Sequence, residues 1–187
     1  MILLAWSVIL MPIAAYHRLR SRTDENLDRR QEGLFILVTL RLMGVATAAG
    51  LVAYLINPAC MAWSAMPLPA WLRWTGIGLA LITGFLFAWT LHSLGRNLTD
   101  TVVTRKEHTL VIAGPYHWVR HPFYTSVALA VLGTSLAAAN AFLLITGSLL
   151  FLLQVIRTRK EEANLVARFG DDYRRYMQRT GRFLPRL

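Results

Sequence analysis

The chain has 187 residues, of which 55% are hydrophobic and 16% are charged, and its mean hydropathy is +0.43. This composition is too apolar for a soluble domain of the same length. A formal net charge of +10 is found in many nucleic-acid-binding proteins, but in so apolar a chain membrane topology and anionic lipid headgroups explain it better. We therefore predict an all-α integral membrane protein that binds no nucleic acid.

Four apolar tracts are candidates for membrane helices, since about 20 mostly apolar residues span the hydrocarbon. They are residues 1–16, 33–56, 71–94 and 123–156. The first lacks a basic segment before its apolar run, which favours a retained helix over the alternative of a cleaved signal peptide. The fourth is too long for one crossing and predicts a hairpin of two short or tilted helices with its turn near Asn140. These tracts together predict five transmembrane helices.

The charged residues predict the orientation of these helices. With five helices, most Lys and Arg residues fall on one side, and the loop 57–70 on the other side carries no charge. By the positive-inside rule the basic side is cytoplasmic and the N-terminus lies outside. The ten acidic residues also fall on the cytoplasmic side. This arrangement favours an enzyme site at that boundary over a transport path through the membrane.

The chain divides into two regions of one membrane domain. Residues 1–94 hold the first three predicted membrane helices. Residues 95–187 hold a loop, the hairpin and a polar, helical C-terminal tail. The motifs whose side chains are candidates for catalysis or ligand binding all lie in this second region.

The first motif is residues 108–124, HTLVIAGPYHWVRHPFY, which lead into the fourth apolar tract. Gly114-Pro115 interrupts any helix, whereas Pro122 suits the first turn of the next one, so His121 is expected outside helical geometry. The motif is therefore predicted to be an ordered loop that delivers polar and aromatic side chains to a helix N-terminus at the cytoplasmic interface. The side chains so delivered are Tyr116, Arg120, His121 and Tyr124.

This loop also has two simpler interpretations, a membrane-interface belt and a metal site. Trp and Tyr line membrane interfaces routinely, which accounts for Trp118. His117 and His121 are four residues apart, but the segment between them is not a clean helix and no carboxylate lies nearby in sequence. The pattern therefore disfavours a metal site.

The second motif is residues 157–177, RTRKEEANLVARFGDDYRRYM. Helical spacing puts Arg157 and Glu161 on one face. The more stabilising order for such a pair has the glutamate first, so a purely structural role is weakly disfavoured. Gly170 before two aspartates predicts that one helix ends and another begins.

The order HTLVxxGPYxxxRHPxY, a helical hairpin, and RxxxEExxL…FGxxYxxY resembles the isoprenylcysteine carboxyl methyltransferase (ICMT) family of integral membrane enzymes, in a short, prokaryotic-type form. The resemblance covers about residues 91–187. It implies a methyltransferase that uses S-adenosyl-L-methionine without a Rossmann domain and leaves S-adenosyl-L-homocysteine. It also implies a lipophilic or lipidated acceptor, such as the carboxylate of an isoprenylcysteine-like compound.

The resemblance also implies roles for individual residues. Glu161 and Arg157 are implied to be catalytic, with Arg157 at the acceptor carboxylate. The implied cofactor contacts are Thr101, His108, Thr109, Leu110, Val111, Tyr116, His121, Pro122, Phe123, Tyr124 and Glu161. The side-chain chemistry agrees, because aromatic rings attract a cationic sulfonium and a guanidinium binds a carboxylate with two parallel hydrogen bonds.

Three alternatives remain open at this point. Phospholipid amine N-methyltransferases share similar C-terminal motifs, and some nicotinamide-dependent membrane reductases resemble the same region. A non-catalytic membrane scaffold or a small transporter is the alternative from a different class. The sequence leaves open the identity of the acceptor, the choice among O-, S- and N-methylation, and the oligomeric state.

Overall fold

A computed structural model describes residues 12–13, 15–17, 19–20, 34–95 and 109–186. The α-helices of residues 34–95 and 109–186 are α1 (Leu34–Ile56), α2 (Ala70–Leu94), α3 (Pro122–Ala138), α4 (Ala141–Phe169) and α5 (Asp171–Arg179). Two 3₁₀ helices, Pro58–Ser64 and Gly114–His117, interrupt the loops before α2 and α3. Within the described ranges, β-structure is limited to two isolated bridges.

Three of these helices, α1, α2 and α4, are long and apolar enough to cross a membrane, and α3 is a shorter apolar helix. Large apolar side chains on them face outward; Phe35, Ile56 and Phe85 are 79%, 80% and 71% exposed. In a bilayer this surface contacts lipid tails. The prediction of an all-helical membrane fold is confirmed. The predicted helix in residues 1–16 lies mostly outside the described residues, so the count of five stays a prediction.

The helices α3 and α4 form the predicted hairpin, and Ala139 and Asn140 make its turn. Ala139 has a left-handed conformation with φ of 49°. Asn140 caps α4, because its side-chain oxygen accepts a 3.1 Å hydrogen bond from the amide of Leu143. Its side-chain nitrogen donates to Ser64 Oγ at 2.7 Å and to the Met61 carbonyl at 3.2 Å. The turn is thereby attached to the loop between α1 and α2.

The second helix of the hairpin is longer than the prediction of two short or tilted helices. It runs for 29 residues to Phe169, and residues 148–169 contain neither glycine nor proline to interrupt it. The polar segment that begins at Arg157 therefore continues the apolar helix without a break. As predicted, the chain turns at Gly170, with φ of 55°, and α5 follows.

The helices α2 and α3 pack with their backbones in contact. A Cβ atom placed on Gly76 would lie 2.6 Å from the amide of Ala137 and 2.7 Å from the carbonyl of Gly133. A Cβ atom on Gly133 would lie 2.8 Å from the amide of Ala80. Both helices thus place small residues four positions apart at their interface, as closely packed membrane helices commonly do.

After α5, residues 180–186 run back along the loop that precedes α3, and we call them the C-terminal segment. The amide of Arg120 donates to the Gly181 carbonyl at 2.9 Å, and the amide of His121 donates to the Arg182 carbonyl at 3.0 Å. The hydroxyl of Thr125 donates to the Phe183 carbonyl at 2.9 Å. The C-terminal segment therefore covers the start of α3.

Candidate active site

The conformation of the loop before α3 is set by residues that interrupt helical structure and by contacts with α5. Gly114, with φ of 61°, starts the 3₁₀ turn that carries Tyr116. The Tyr116 side chain is buried, and its carbonyl accepts a 2.6 Å hydrogen bond from the hydroxyl of Tyr176. Pro122 occupies the first turn of α3 and His121 has φ −124° and ψ 58°, as the sequence predicted.

Four of the predicted site residues come together between this loop and α4. The hydroxyl of Tyr124 donates a 2.9 Å hydrogen bond to Oε2 of Glu161. Burial raises the pKa of Tyr116, and the nearby Glu161 carboxylate raises it further, so this phenol is a neutral donor. Arg157, one turn before Glu161, lies within electrostatic range of Tyr124. The group combines two aromatic rings, one carboxylate and one guanidinium.

A second polar group surrounds Glu162, which is only 4% exposed. Its Oε1 accepts from Arg120 Nε at 2.9 Å and from Arg182 Nε at 3.2 Å, and it lies 3.2 Å from His121 Nε2. Its Oε2 accepts from the Nη2 of Arg182. We call Arg120, His121, Glu162 and Arg182 the Glu162 cluster. The Glu162 carboxylate on α4 thus contacts side chains from both the loop and the C-terminal segment.

The Glu162 cluster connects the C-terminal segment to the predicted cofactor residues. Arg120 also donates to the carbonyls of Met177 and Thr180, which end α5. The ring of His121 stacks on that of Tyr124, with centroids 5.6 Å apart and planes 9° from parallel. Glu162 thus orients His121, and His121 supports the ring of Tyr124 from one side.

The remaining predicted contacts lie at the edges of this arrangement. Thr109, Leu110 and Val111 form the non-helical approach to the loop, and Phe123 packs against Phe87 with ring centroids 5.3 Å apart. Two further predicted cofactor contacts, Thr101 and His108, lie outside the described residues.

Glu162 and Arg182 belong to the site region, although the sequence did not predict a role for either of them. Glu162 is 41 residues from His121, so the absence of a carboxylate near the histidines in sequence did not hold in space. The adjacent pair Glu161-Glu162 could have indicated a second polar site in the sequence. Neighbouring helix positions point about 100° apart, so the two carboxylates must serve different surroundings. Among the described residues, no group of three His, Cys, Asp or Glu side chains is placed to hold a metal ion.

Fold and site together define an all-helical membrane protein with a buried polar site at the open end of a helical hairpin. Residues 76–167 match the model of the isoprenylcysteine carboxyl methyltransferase (ICMT) family. The resemblance seen in the motifs is therefore confirmed. The matched range contains most of α2, the described loop, the hairpin and both glutamates.

The chain is also similar to individual curated proteins with different names. The human protein-S-isoprenylcysteine O-methyltransferase is 29% identical over 126 residues, which are 66% of this chain and 44% of that protein. The cobalt-zinc-cadmium resistance protein CzcN of Cupriavidus metallidurans is 34% identical over 122 residues, or 62% of this chain and 55% of that protein. The chain thus spans about half the length of the curated relatives it matches.

A solved structure of the eukaryotic intramembrane Ras methyltransferase ICMT shares the fold. The TM-score is 0.56 at 23% sequence identity, and the match covers 78% of this chain and 51% of that one. At this identity the likeness describes the arrangement of helices.

Proposed function

We propose that the chain is an S-adenosylmethionine-dependent methyltransferase that acts in the membrane on a lipophilic carboxylate. The observation that carries this proposal is the hydrogen bond between Tyr124 and Glu161, with Tyr116 and Arg157 beside it. This arrangement holds one carboxylate next to two neutral phenols and one guanidinium at the edge of an apolar hairpin. The match of residues 76–167 to the family model supports the same function.

The residues present fit the cofactor that the family implies. S-adenosylmethionine supplies, when bound, a methyl group on a positively charged sulfur. The rings of Tyr116 and Tyr124 attract such a cation through their faces, and the carboxylate of Glu161 accepts from ribose hydroxyls or an ammonium group. The main chain of Thr109, Leu110 and Val111 offers amides and carbonyls for adenine. Thr101, His108, His121, Pro122 and Phe123 complete the proposed cofactor contacts.

Arg157 is proposed to hold the acceptor. Its guanidinium presents a planar pair of N–H donors that matches a carboxylate. A carboxylate is already ionised at neutral pH, so its oxygen attacks without losing a proton and the chain needs no general base. Positioning and exclusion of water then supply most of the acceleration, which reaches about 7–11 kcal/mol in favourable cases. Glu161 and Arg157 thus act by orienting the two reactants.

The proposal includes a location for the reaction. With a fifth helix in residues 1–16, the basic segments and the site lie on the cytoplasmic side and the N-terminus lies outside. A lipophilic or lipidated acceptor then reaches the site sideways from the bilayer, and no soluble carrier is required. Membrane lipid surrounds α1, α2 and α4, which have the length and apolarity to span it.

Cofactor binding is the first test of the proposal. Isothermal titration of the detergent-purified protein with S-adenosylhomocysteine should show a saturable site. A folded sample without such a site would contradict the proposal and favour a scaffold or transporter, and a response to a nicotinamide cofactor instead would indicate a reductase.

The type of acceptor is tested with membranes and methyl-labelled cofactor. A base-labile, volatile label marks a carboxyl ester, whereas a stable lipid-bound label marks an amine and supports phospholipid N-methylation instead. Arg157→Ala should raise the acceptor KM with little change in cofactor affinity. Arg159→Ala is the matched control, because Arg159 lies two positions away on the same helix and is exposed.

A further inference from the structure

We infer that a groove between the N-terminal helical residues and α2 binds an anionic phospholipid, with the lipid phosphate between His17 and His92 and an acyl chain on the aromatic floor. This inference does not depend on the proposed function, since lipid binding needs no methyl transfer. The groove has a volume of about 550 Å³, and we call it the histidine groove. The described residues that line it are Ile13, His17, Phe85, Ala88, Trp89 and His92.

The floor of the histidine groove is apolar and faces outward. Phe85, Ala88, Trp89 and His92 follow one another at helical spacing and therefore share one face of α2. The side chains of Phe85 and Trp89 are 71% and 38% exposed, and their ring centroids lie 6.3 Å apart. On the outer surface of a membrane helix, such a floor suits a hydrocarbon chain.

The two histidines lie where the apolar segments end. His92 is two residues before the end of α2, and His17 follows the apolar residues 1–16. Their ring centroids are 6.4 Å apart and their planes are perpendicular. At this separation one phosphate group can accept a hydrogen bond from each ring, because each N–H reaches its own oxygen over about 2.8 Å. The polar end of the groove thus matches a headgroup.

The charges around the histidines indicate that the ligand is an anion. His92 and Arg20 both lie within electrostatic range of His17, and the Nη1 of Arg20 donates to the neutral hydroxyl of Tyr16 at 3.3 Å. Of the described residues that line the groove, none is acidic. A metal ion is disfavoured, since Arg20 repels a cation and no third ligand joins the pair among the described residues. At a membrane boundary the abundant anions are lipid headgroups.

The histidine groove is separate from the proposed active site. Phe87 points to the opposite face of α2 and packs on Phe123 of α3, with ring centroids 5.3 Å apart. None of the described cofactor contacts lines the groove. Trp89 forms the boundary, because its ring also packs edge to face on that of Trp118 at 5.7 Å. The groove therefore takes a lipid of its own beside the loop before α3.

The test compares two phospholipids with the same acyl chains. Native mass spectrometry of the detergent-purified full chain measures the Kd of dioleoyl phosphatidylglycerol and of dioleoyl phosphatidylcholine. We expect the wild-type protein to bind phosphatidylglycerol about fivefold more tightly, because the choline cation offsets the phosphate charge that Arg20 attracts. Arg20→Gln should remove this headgroup preference.

The histidines are tested by the double variant His17→Ala/His92→Ala. Its affinity for phosphatidylglycerol should fall about tenfold, since it loses the hydrogen bonds to a charged phosphate. Unfolding curves should show that the double variant keeps the wild-type thermal midpoint. His117→Ala is the matched control, because His117 is an exposed histidine outside the groove. This control should bind phosphatidylglycerol as the wild type does.

Several outcomes would overturn the inference. They are equal binding of the two lipids by the wild type, wild-type affinity in the double variant, and an equal loss in the His117 variant. Displacement of phosphatidylglycerol by an S-prenylated acid would assign the groove to the methyl acceptor and overturn the inference as well. Because no readout involves methylation, each of these results leaves the proposed function standing, and a protein that methylates nothing would leave this inference standing.

Discussion

Tyr124 and Glu161 are joined by a 2.9 Å hydrogen bond from the phenol to the carboxylate oxygen Oε2. The bond links the first turn of α3 to the polar part of α4, 37 residues later. The orientation of the proposed cofactor-binding carboxylate therefore depends on the hairpin itself. Because both residues belong to helices, the geometry of this pair is preorganised before any ligand binds.

Removing the hydroxyl of Tyr124 tests this relationship. Tyr124→Phe keeps the ring stacked on His121 but leaves Glu161 without that donor. We expect the affinity for S-adenosylhomocysteine to fall about fivefold, because a net hydrogen bond contributes about 1 kcal/mol. Isothermal titration measures the change. Tyr54→Phe, which packs near Ala80 and Ala137 away from the site, should bind as the wild type does; equal affinity in the Tyr124 variant would show that the bond does not orient the site.

The adjacent glutamates should respond in opposite ways to the same substitution. Glu161→Gln should weaken cofactor binding tenfold or more with little change in the free energy of unfolding, since it removes a charge proposed to face the ligand. Glu162→Gln should lower the free energy of unfolding by about 3–5 kcal/mol, because Arg120 and Arg182 then lack their buried counter-charge.

Titration and unfolding in mild detergent distinguish these two outcomes. Each glutamate serves as the other's matched control, since the chemical change is identical and the positions are adjacent. Equal effects of the two substitutions on both measurements would refute the separate roles.

The two arginines of the Glu162 cluster should differ in their contribution to stability. The Arg120 side chain is 9% exposed and also donates to the ends of α5, so Arg120→Ala should cost about 3–5 kcal/mol. The Arg182 side chain is 37% exposed, and solvent screening limits the cost of Arg182→Ala to about 1 kcal/mol. Detergent-based unfolding curves measure both. A larger loss for Arg182 would mean that the C-terminal segment, and not α5, is the element held by the cluster.

The contact of α2 with α3 predicts a sharp difference between two glycines. Gly76→Ala places a methyl group against the backbone of Gly133 and Ala137 and should destabilise the protein by about 1–3 kcal/mol. Gly78→Ala meets nothing within 4 Å and should be neutral or stabilising by up to about 1 kcal/mol, since alanine is the better helix former. The thermal unfolding midpoint of each variant reports the difference. Similar midpoints would contradict the close approach of the two helices.

The helices were predictable because lipid imposes length and apolarity on each of them. The predicted helices 33–56 and 71–94 agree with α1 and α2 to within one residue, and Pro122 and Gly170 act as boundaries for local backbone reasons. The length of α4 was underestimated because a change from apolar to polar residues resembles a helix end. Only glycine or proline would have interrupted it there.

The site was predictable where a single helix or motif carries the information. The spacing of Arg157 and Glu161 placed both on one face of a helix, and the order of residues before Tyr124 placed that tyrosine near a helix N-terminus. The Glu162 cluster was not predictable, because its members come from three segments that are distant in sequence. Their association depends on the chain after α5 packing back against the loop. No local pattern in the sequence predicts that long-range contact.

The backbone contact at Gly76 and Gly133 has a consequence for how the protein behaves towards amphiphiles. A detergent or lipid chain can insert between two helices only where side chains keep the helix axes apart. Between α2 and α3 the backbones are in contact, so no such gap exists there. Detergent should therefore replace lipid around α1 and on the outer faces of the helices first. The α2–α3 pair should be the last pair of helices to dissociate.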